Sequence, residues 1–236
     1  MISPNDRESA ESSIFLPEII GRVFAEGGFL QSELKLEHRP QQEQMARAVA
    51  VGMEHDEPLI FEAGTGVGKS LAYLLPGIVH ATESQRPCVV SSHTISLQEQ
   101  LQRKDLEICR TLFKSIPDLE KYANFKSAVL VGKGNYLCPS RLANAIRNKT
   151  ELFPTEEMEE LSRIAAWAEY TKTGLRQELN PLPDFDVWDQ VNAEGSACNR
   201  KNCDHTTCHY QRARAEIRKA QVVIVNHSLL FALLNA

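Results

Sequence analysis

The stretch that decides the fold runs from residue 58 to residue 70 and reads Pro58-Leu-Ile-Phe-Glu-Ala-Gly-Thr-Gly-Val-Gly-Lys-Ser70. Its first four residues are typical of a short buried strand. Its second half has the spaced glycines and the closing Gly-Lys-Ser of a phosphate loop. The apolar segment that follows predicts a helix whose N-terminus faces the phosphates. This order of strand, glycine loop and helix predicts a nucleotide-binding α/β domain.

Each residue type in the loop has a chemical task. Glycines let backbone N–H groups approach phosphate oxygens, because no side chain stands in the way. Lys69 supplies a positive charge to the phosphates, and the Ser70 hydroxyl is a ligand for Mg²⁺. These two are the candidate catalytic residues. The candidate nucleotide-binding residues of the loop are Gly64, Thr65, Gly66, Val67, Gly68, Lys69 and Ser70.

Composition indicates an ordinary globular protein. The chain has 236 residues, of which 42% are hydrophobic and 24% charged, enough for one large α/β domain with an insertion. Its net charge is −5, so any contact with nucleic acid must come from a local patch. Residues 198–219 are the best candidate, with six Lys/Arg against two Asp/Glu. The sequence has no long apolar run and no secretory signal, so we expect a cytoplasmic protein with no membrane partner.

Six cysteines in a chain without a secretory signal are not expected to form disulfides. Two of them, Cys88 and Cys109, lie among apolar residues and are expected to be buried thiols. The other four form a candidate metal site: Cys138, Cys198, Cys203 and Cys208.

Polar residues separate the last three of these cysteines in a C-x4-C-x4-C pattern, which suits a loop around a metal better than a packed core. Four thiolates can hold an iron–sulfur cluster or a structural zinc ion, and the spacing leaves both open. In a zinc site, His205 or His209 can replace one thiolate, although a histidine in such a segment is more often a surface residue. Unrelated free thiols are the alternative.

Apolar periodicity predicts the order of the elements. Roughly ninety residues separate the last two strands, far more than an ordinary connection needs, so we predict a parallel sheet that a metal-bearing insertion interrupts. Pro76 should bend the helix after the loop or end it early. The predicted strands cover 58–61, 86–92, 127–131 and 221–226, and the predicted helices cover 14–24, 40–53, 95–113 and 154–170.

Taken in order, the motifs resemble the superfamily 2 iron–sulfur helicases typified by DinG and XPD, and the DinG type most closely. Arg39-Pro-Gln-Gln-Glu-Gln-Met45 is similar to the family's adenine-recognising Q motif, with Gln42 at the position that reads the base. Residues 62–70 match its nucleotide loop. Residues 91–101 are similar to motif Ia, which lies along the DNA backbone. Two further segments, 133–138 and 223–230, resemble those that enter and follow the cluster domain.

The resemblance implies a RecA-like P-loop NTPase fold with an inserted iron–sulfur domain. It implies ATP and Mg²⁺ at the loop, with Arg39 and Gln42 beside them, and a [4Fe-4S] cluster on the four cysteines. It also implies that Ser92, Thr94 and Gln98 contact DNA. The implied domains are an N-terminal extension (1–37), the first part of the ATP-binding domain (38–132), the inserted cluster domain (133–215) and the return to the ATP-binding domain (216–236).

The function implied is that of an ATP-dependent DNA helicase, a monomer that moves 5′ to 3′ on single-stranded DNA and unwinds forked duplexes in repair or replication. The DEAH box of the family should follow Asn226-His227 and is not among the 236 residues. We therefore expect this chain to bind ATP and not to unwind DNA alone. The alternatives are a regulatory P-loop ATPase with a zinc module, and a DNA-binding or redox module whose nucleotide loop is vestigial.

Overall fold

The structure is a computed structural model that describes residues 15–148, 155–194 and 206–235. It divides into two compact units, and each is described by itself. The first unit comprises Met1–Cys88 and Gln100–Phe125, and the second comprises Val89–Glu99 and Lys126–Ala236. Across the described ranges, no helix is both long enough and apolar enough to cross a membrane.

The elements follow the order that the sequence predicts, with one exception described below. The α-helices are α1 (Leu16–Phe24), α2 (Phe29–Ser32), α3 (Pro40–His55), α4 (Lys69–Ser84), α5 (Ile95–Gln100), α6 (Leu106–Ser115), α7 (Pro139–Arg147), α8 (Thr155–Ala168), α9 (Phe185–Val191), α10 (His209–Ile217) and α11 (His227–Leu234). The strands are β1 (Cys88–Ser92), β2 (Ser127–Leu130) and β3 (Val222–Asn226). A π-helix spans Leu101–Asp105, and 3₁₀ segments span Pro117–Asn124, Lys133–Asn135 and Arg176–Glu178.

In the first unit, helix α4 packs against α3 and α1. The helix continues through Pro76 as far as Ser84, so the prediction of an early end is wrong. A proline inside a helix costs roughly 3 kcal/mol, because it removes one backbone hydrogen bond and crowds the preceding turn. Most of the residues from Leu71 to Val79 are buried, and tertiary packing of this kind outweighs a local preference.

A three-stranded sheet forms the centre of the second unit, in the order β1-β3-β2. Strands β2 and β3 are parallel, with Ser127 opposite Val222 and Leu130 opposite Val225. The first four residues of β3 are all buried, as expected for a strand covered on both faces. The predicted strands at 86–92, 127–131 and 221–226 are confirmed with slightly shorter bounds.

The predicted strand at 58–61 is wrong, because the backbone there has no strand assignment. The side chain of Ile60 is fully exposed and that of Leu59 is 43% exposed. A strand is stabilised by hydrogen bonds to a neighbouring strand. Residues 58–61 do not belong to the three-stranded sheet that the structure describes. The apolar run at 58–61 does lead into the phosphate loop, but the prediction that it pairs with a neighbouring strand is wrong.

The predicted insertion has its own apolar core in the second unit. Trp167 of α8 and Trp188 of α9 pack with their ring centroids 6.3 Å apart. The Trp188 indole is buried and its Nε1 donates to the Gly134 carbonyl oxygen at 2.6 Å, so this side chain anchors the core. The buried members of the core are Leu137, Leu142, Ala145, Leu161, Ile164, Trp167, Leu179, Val187, Trp188 and Val191.

Two backbone segments close this part of the chain on itself. The Cys138 N–H donates to the Val191 oxygen, and the Ala193 N–H donates to the Tyr136 oxygen, both at 2.8 Å. Arg141 strengthens the closure, because one guanidinium nitrogen donates to the Asn192 carbonyl oxygen at 2.8 Å. The chain that leaves at Tyr136 therefore returns beside itself at Ala193.

Two isoleucines give a matched test of this core. Ile164 on α8 is 0% exposed and Ile146 on α7 is 41% exposed. We expect Ile164→Ala to lower the free energy of unfolding by roughly 2–5 kcal/mol, since it leaves a cavity. Ile146→Ala should change it by less than about 1 kcal/mol. Urea unfolding followed by tryptophan fluorescence measures both, and equal effects would contradict the assignment of the core.

Candidate nucleotide-binding site

The phosphate loop depends on two glycines with left-handed backbone. Gly66 has φ of 81° and Gly68 has φ of 86°, a region that other residues rarely adopt. Gly68 is also the N-cap of α4. A Cβ atom at Gly68 would collide with the side-chain amide of Gln42. The loop therefore reaches the start of α4 by a path that requires glycine at this position.

Lys69 is the first residue of α4, and its ammonium stays over the loop. Its Nζ donates to the carbonyl oxygens of Ala63 at 3.0 Å and Gly64 at 3.1 Å. Ser70 follows in the first turn and hydrogen-bonds Tyr73, whose pKa is raised by burial and held back by that bond. The unpaired N–H groups of a helix N-terminus favour negative charge. The Lys69 ammonium, the Ser70 hydroxyl and the N-terminus of α4 therefore surround the same small region.

The start of helix α3 ties the loop down from one side. Arg39 donates to the Gly66 carbonyl oxygen, and Gln42 Nε2 donates to the Gly68 carbonyl oxygen at 2.8 Å. Gln42 is 7% exposed. The structure therefore brings both predicted residues to the loop. The Gln42 amide serves the loop backbone here, which differs from the predicted contact with the base.

A cleft of about 320 Å³ opens between the start of α3 and the tip of the loop. This volume is near the lower end of the range for small-molecule sites, which starts at about 300 Å³. It is lined by Glu37, His38, Arg39, Pro40, Gln41, Thr65, Gly66 and Val67.

Sequence reasoning missed one feature of this cleft, a chain of charged and polar groups along α3. His38 Nε2 lies 2.8 Å from Glu43 Oε2, and Arg47 Nε donates to Glu43 Oε1 at 2.9 Å. The hydrogen bond from His38 and then the Arg47 guanidinium hold the pKa of Glu43 below its ordinary value, although burial opposes them. The five-residue spacing of His38 and Glu43 across a helix start was the available signal.

The three predicted DNA-contacting residues lie in different environments in the second unit. Ser92 Oγ donates to the Thr94 carbonyl oxygen at 3.2 Å, and Thr94 Oγ1 accepts from the Leu97 N–H at 3.2 Å. Both residues retain exposed surface. Gln98 is 1% exposed, and its amide atoms have no hydrogen-bond partner among the described residues. Gln98 therefore cannot touch DNA in this conformation, which corrects that assignment.

A histidine that the sequence analysis did not single out joins this segment. Ser91 Oγ lies 2.7 Å from His227 Nδ1, and the rings of His93 and His227 have centroids 6.1 Å apart. Ser91 is at the end of β1 and His227 follows β3, and these two strands are neighbours in the sheet. Polar groups from the ends of two adjacent strands therefore meet beside Ser92.

Two of the four predicted metal ligands are described. Cys138 and Cys208 are both buried in one cluster with residues of β2 and β3. Each is the N-cap of a helix, α7 and α10 respectively. Cys198 and Cys203 lie outside the described residues, as does His205. Over the described ranges, no group of three or more His, Cys, Asp or Glu residues could hold a metal ion.

The basic segment after the cysteines is described from residue 206, and two of its side chains are buried. His209 is buried, which corrects the expectation of a surface residue, and its Nδ1 lies 2.6 Å from an Arg212 guanidinium nitrogen. Tyr210 is buried with Lys133 Nζ 5.5 Å and Arg214 Cζ 6.0 Å from the centre of its ring. The charged groups of Lys133 and Arg214 are therefore partly engaged in packing against the Tyr210 ring.

The remaining cysteines are buried thiols, as predicted, with Cys109 fully buried and Cys88 partly so. Burial raises the pKa of Cys88 to about 11 and that of Cys109 further still. A protonated thiol in an apolar site is a poor metal ligand. These two residues are therefore suitable controls for the four predicted ligands.

A glycine-capped phosphate loop together with a parallel sheet defines a RecA-like α/β protein of the P-loop class. The chain also matches the DEAD/DEAH box helicase family over residues 39–134. It is similar to the ATP-dependent helicase DinG of Mycobacterium tuberculosis, with 36% identity over 238 residues that cover 94% of this chain and 34% of that protein. Most of this chain is therefore similar to part of the DinG helicases, and residues 39–134 match the DEAD/DEAH box helicase family.

Two further DinG helicases are similar to this chain to nearly the same degree. The ATP-dependent DNA helicases DinG of Salmonella typhimurium and Escherichia coli are each 35% identical over 215 residues. The match covers 84% of this chain and 29% of each of them. The chain thus spans about a third of the length of these curated relatives.

The three loop glycines make separate demands, so alanine substitutions should rank in order. We expect Gly64→Ala to be nearly neutral, because a Cβ there meets nothing within 4 Å. Gly66→Ala should lower the free energy of unfolding by roughly 1–2 kcal/mol, because alanine is strained in the left-handed backbone conformation of this residue. Gly68→Ala adds a collision with Gln42 and should cost more. Thermal unfolding of the three variants checks the order, and equal effects would contradict it.

Proposed function

We propose that this chain is the ATP-binding and cluster-bearing part of an ATP-dependent DNA helicase of the iron–sulfur type. The observation that carries the proposal is the phosphate loop, whose glycines, Lys69 and Ser70 surround the start of α4. The names of the relatives support the reaction. In this proposal, ATP hydrolysis drives 5′ to 3′ movement on single-stranded DNA and the unwinding of forked duplexes in repair or replication.

Lys69 and Ser70 act on the phosphates in this proposal. The ammonium of Lys69 already faces loop carbonyls, so it needs only a side-chain rotation to reach phosphate oxygens. The Ser70 hydroxyl holds Mg²⁺, which neutralises the charge that develops when the γ-phosphoryl group is transferred. Arg39 and Gln42 keep the loop in place through its carbonyl oxygens. A loop fixed in this way binds phosphate without first having to order itself.

Single-stranded DNA binds at the segment after β1 in this proposal. Ser92, Thr94 and backbone amides of this segment can hold phosphates without reading the bases, as movement along any sequence requires. Both hydroxyl-bearing residues retain exposed surface, and the bond between Ser91 and His227 steadies the same segment. Gln98 is left out because it is buried.

The four cysteines hold a [4Fe-4S] cluster in this proposal, which is structural and stabilises the insertion at 133–215. The chemistry of the donors fits, because thiolates are the ligands of such clusters. Cys138 and Cys208 are far apart in sequence yet belong to the same buried cluster. Each is also the N-cap of a helix, and helix N-termini favour negative charge. A zinc site on the same cysteines, in a regulatory P-loop ATPase, is the competing proposal.

Removal of one lysine tests the nucleotide site. We expect Lys69→Ala to weaken ATP binding roughly 10- to 100-fold in the presence of Mg²⁺, because charged hydrogen bonds to phosphate are lost. Lys114→Ala removes an exposed lysine at the end of α6 and is the matched control. Isothermal titration measures both affinities. Equal ATP affinity of wild type and Lys69→Ala would contradict the proposed site.

Metal analysis after anaerobic purification tests the cluster. We expect about four irons with matching sulfide per chain in the wild type and in Cys109→Ser, whose sulfur is not in the proposed set. Both should fall sharply in Cys203→Ser and Cys208→Ser, together with the visible absorption. Zinc without sulfide would favour the competing regulatory ATPase. Unchanged iron in the ligand variants would contradict the assignment of the cysteines.

A further inference from the structure

We propose that His38 determines the choice of purine base, by accepting a hydrogen bond from the 6-amino group of adenine in the cleft beside the phosphate loop. This inference rests on the proposed function, because it assumes that a nucleoside triphosphate occupies the loop. It assigns the reading of the base to His38, whereas the sequence pattern alone points to Gln42.

The position of the cleft makes it a base site. One wall is Thr65, Gly66 and Val67 of the phosphate loop, and the other is the segment from Glu37 to Gln41. A nucleotide whose phosphates lie on the loop therefore has its base or ribose within reach of this second wall. The volume of about 320 Å³ suits a purine, since it lies at the small end of the range of ligand sites.

The side-chain nitrogens of the residues that the resemblance nominates are engaged by the loop, and Gln42 does not line the cleft. Arg39 donates to the Gly66 carbonyl oxygen, and Gln42 donates to the Gly68 carbonyl oxygen. Glu37 also lines the cleft, but its side chain is 81% exposed, against 19% for His38. A partly buried ring that is held by a partner presents a fixed hydrogen-bonding edge, whereas an exposed side chain on the same wall must first be ordered.

The partner of His38 fixes the position of its proton. The hydrogen bond from His38 and then the Arg47 guanidinium hold the pKa of Glu43 below its ordinary value, and an ionised carboxylate only accepts hydrogen bonds. The proton in the 2.8 Å bond between them must therefore sit on His38 Nε2. In the neutral imidazole, Nδ1 is then an acceptor, and no described group donates to it. Arg47 secures the arrangement from the other side of Glu43.

An acceptor at this position distinguishes purines by the substituent on carbon 6. Adenine carries an amino group there and donates, whereas hypoxanthine and guanine carry an oxygen and would place two acceptors face to face. An acceptor left without a donor in a partly closed site loses its bond and its hydration together. Ring stacking and phosphate contacts are the same for both purines, so the difference should appear in the relative affinities.

The experiment compares ATP with ITP, in which a 6-oxo group and a proton on N1 replace the 6-amino group, by isothermal titration of the full chain at about pH 8. We expect wild type to prefer ATP roughly tenfold. His38→Leu keeps similar bulk without a polar atom and should bind both equally. Glu43→Gln should also lose most of the preference, because an amide can donate or accept and no longer fixes the tautomer. Glu37→Gln removes a carboxylate from the same cleft and should keep the preference.

The outcomes separate this inference from the proposed function. Loss of the preference in His38→Leu and Glu43→Gln, with its retention in Glu37→Gln, supports the inference. Equal binding of ATP and ITP by wild type, or an unchanged preference in His38→Leu, overturns it and leaves the nucleotide site intact. Failure of wild type to bind either nucleotide, with no change in Lys69→Ala, overturns the proposed function itself. Circular dichroism confirms that each variant is folded before titration.

Discussion

The phosphate loop depends on the left-handed backbone at Gly68, where the loop turns into helix α4. The absence of a side chain lets the Gln42 amide lie against this residue and bond its carbonyl oxygen. That contact joins α3 to the loop, and α3 in turn packs along α4. A side chain at residue 68 would displace the Gln42 amide and break this contact. The change of chain direction at Gly68 also places Lys69 as the first residue of α4.

Local patterns in the sequence predict most of the fold, because helices and buried strands depend on periodic apolar residues. The failures lie where distant contacts decide. Residues 58–61 have the composition of a strand, but pairing needs a second strand that composition cannot supply. Pro76 has a strong local preference against the middle of a helix, and burial of its neighbours overrides that preference. In each case the deciding partner lies outside the window from which the prediction is made.

The candidate site shows the same division at the level of side chains. Lys69 and Ser70 begin helix α4, and Cys138 and Cys208 share one buried cluster. The orientation of a side chain is not fixed by motif spacing. Gln42 and Gln98 are turned inward, and the pairing of His38 with Glu43 becomes visible only when the start of α3 is folded. A sequence can therefore nominate a position, while the direction of its polar atoms requires the structure.

The closure between Tyr136 and Ala193 has a consequence for how such a protein can change. The two residues are joined by a backbone hydrogen bond, so the long excursion between them leaves and returns at nearly one point. The two ends of the excursion after β2 are therefore as close together as the two ends of a short turn. The length of the excursion can therefore vary at points away from Cys138 and Leu175, which pack against the sheet, since loop length itself carries only a small entropic cost. In evolutionary terms, its length can change while its two ends stay joined.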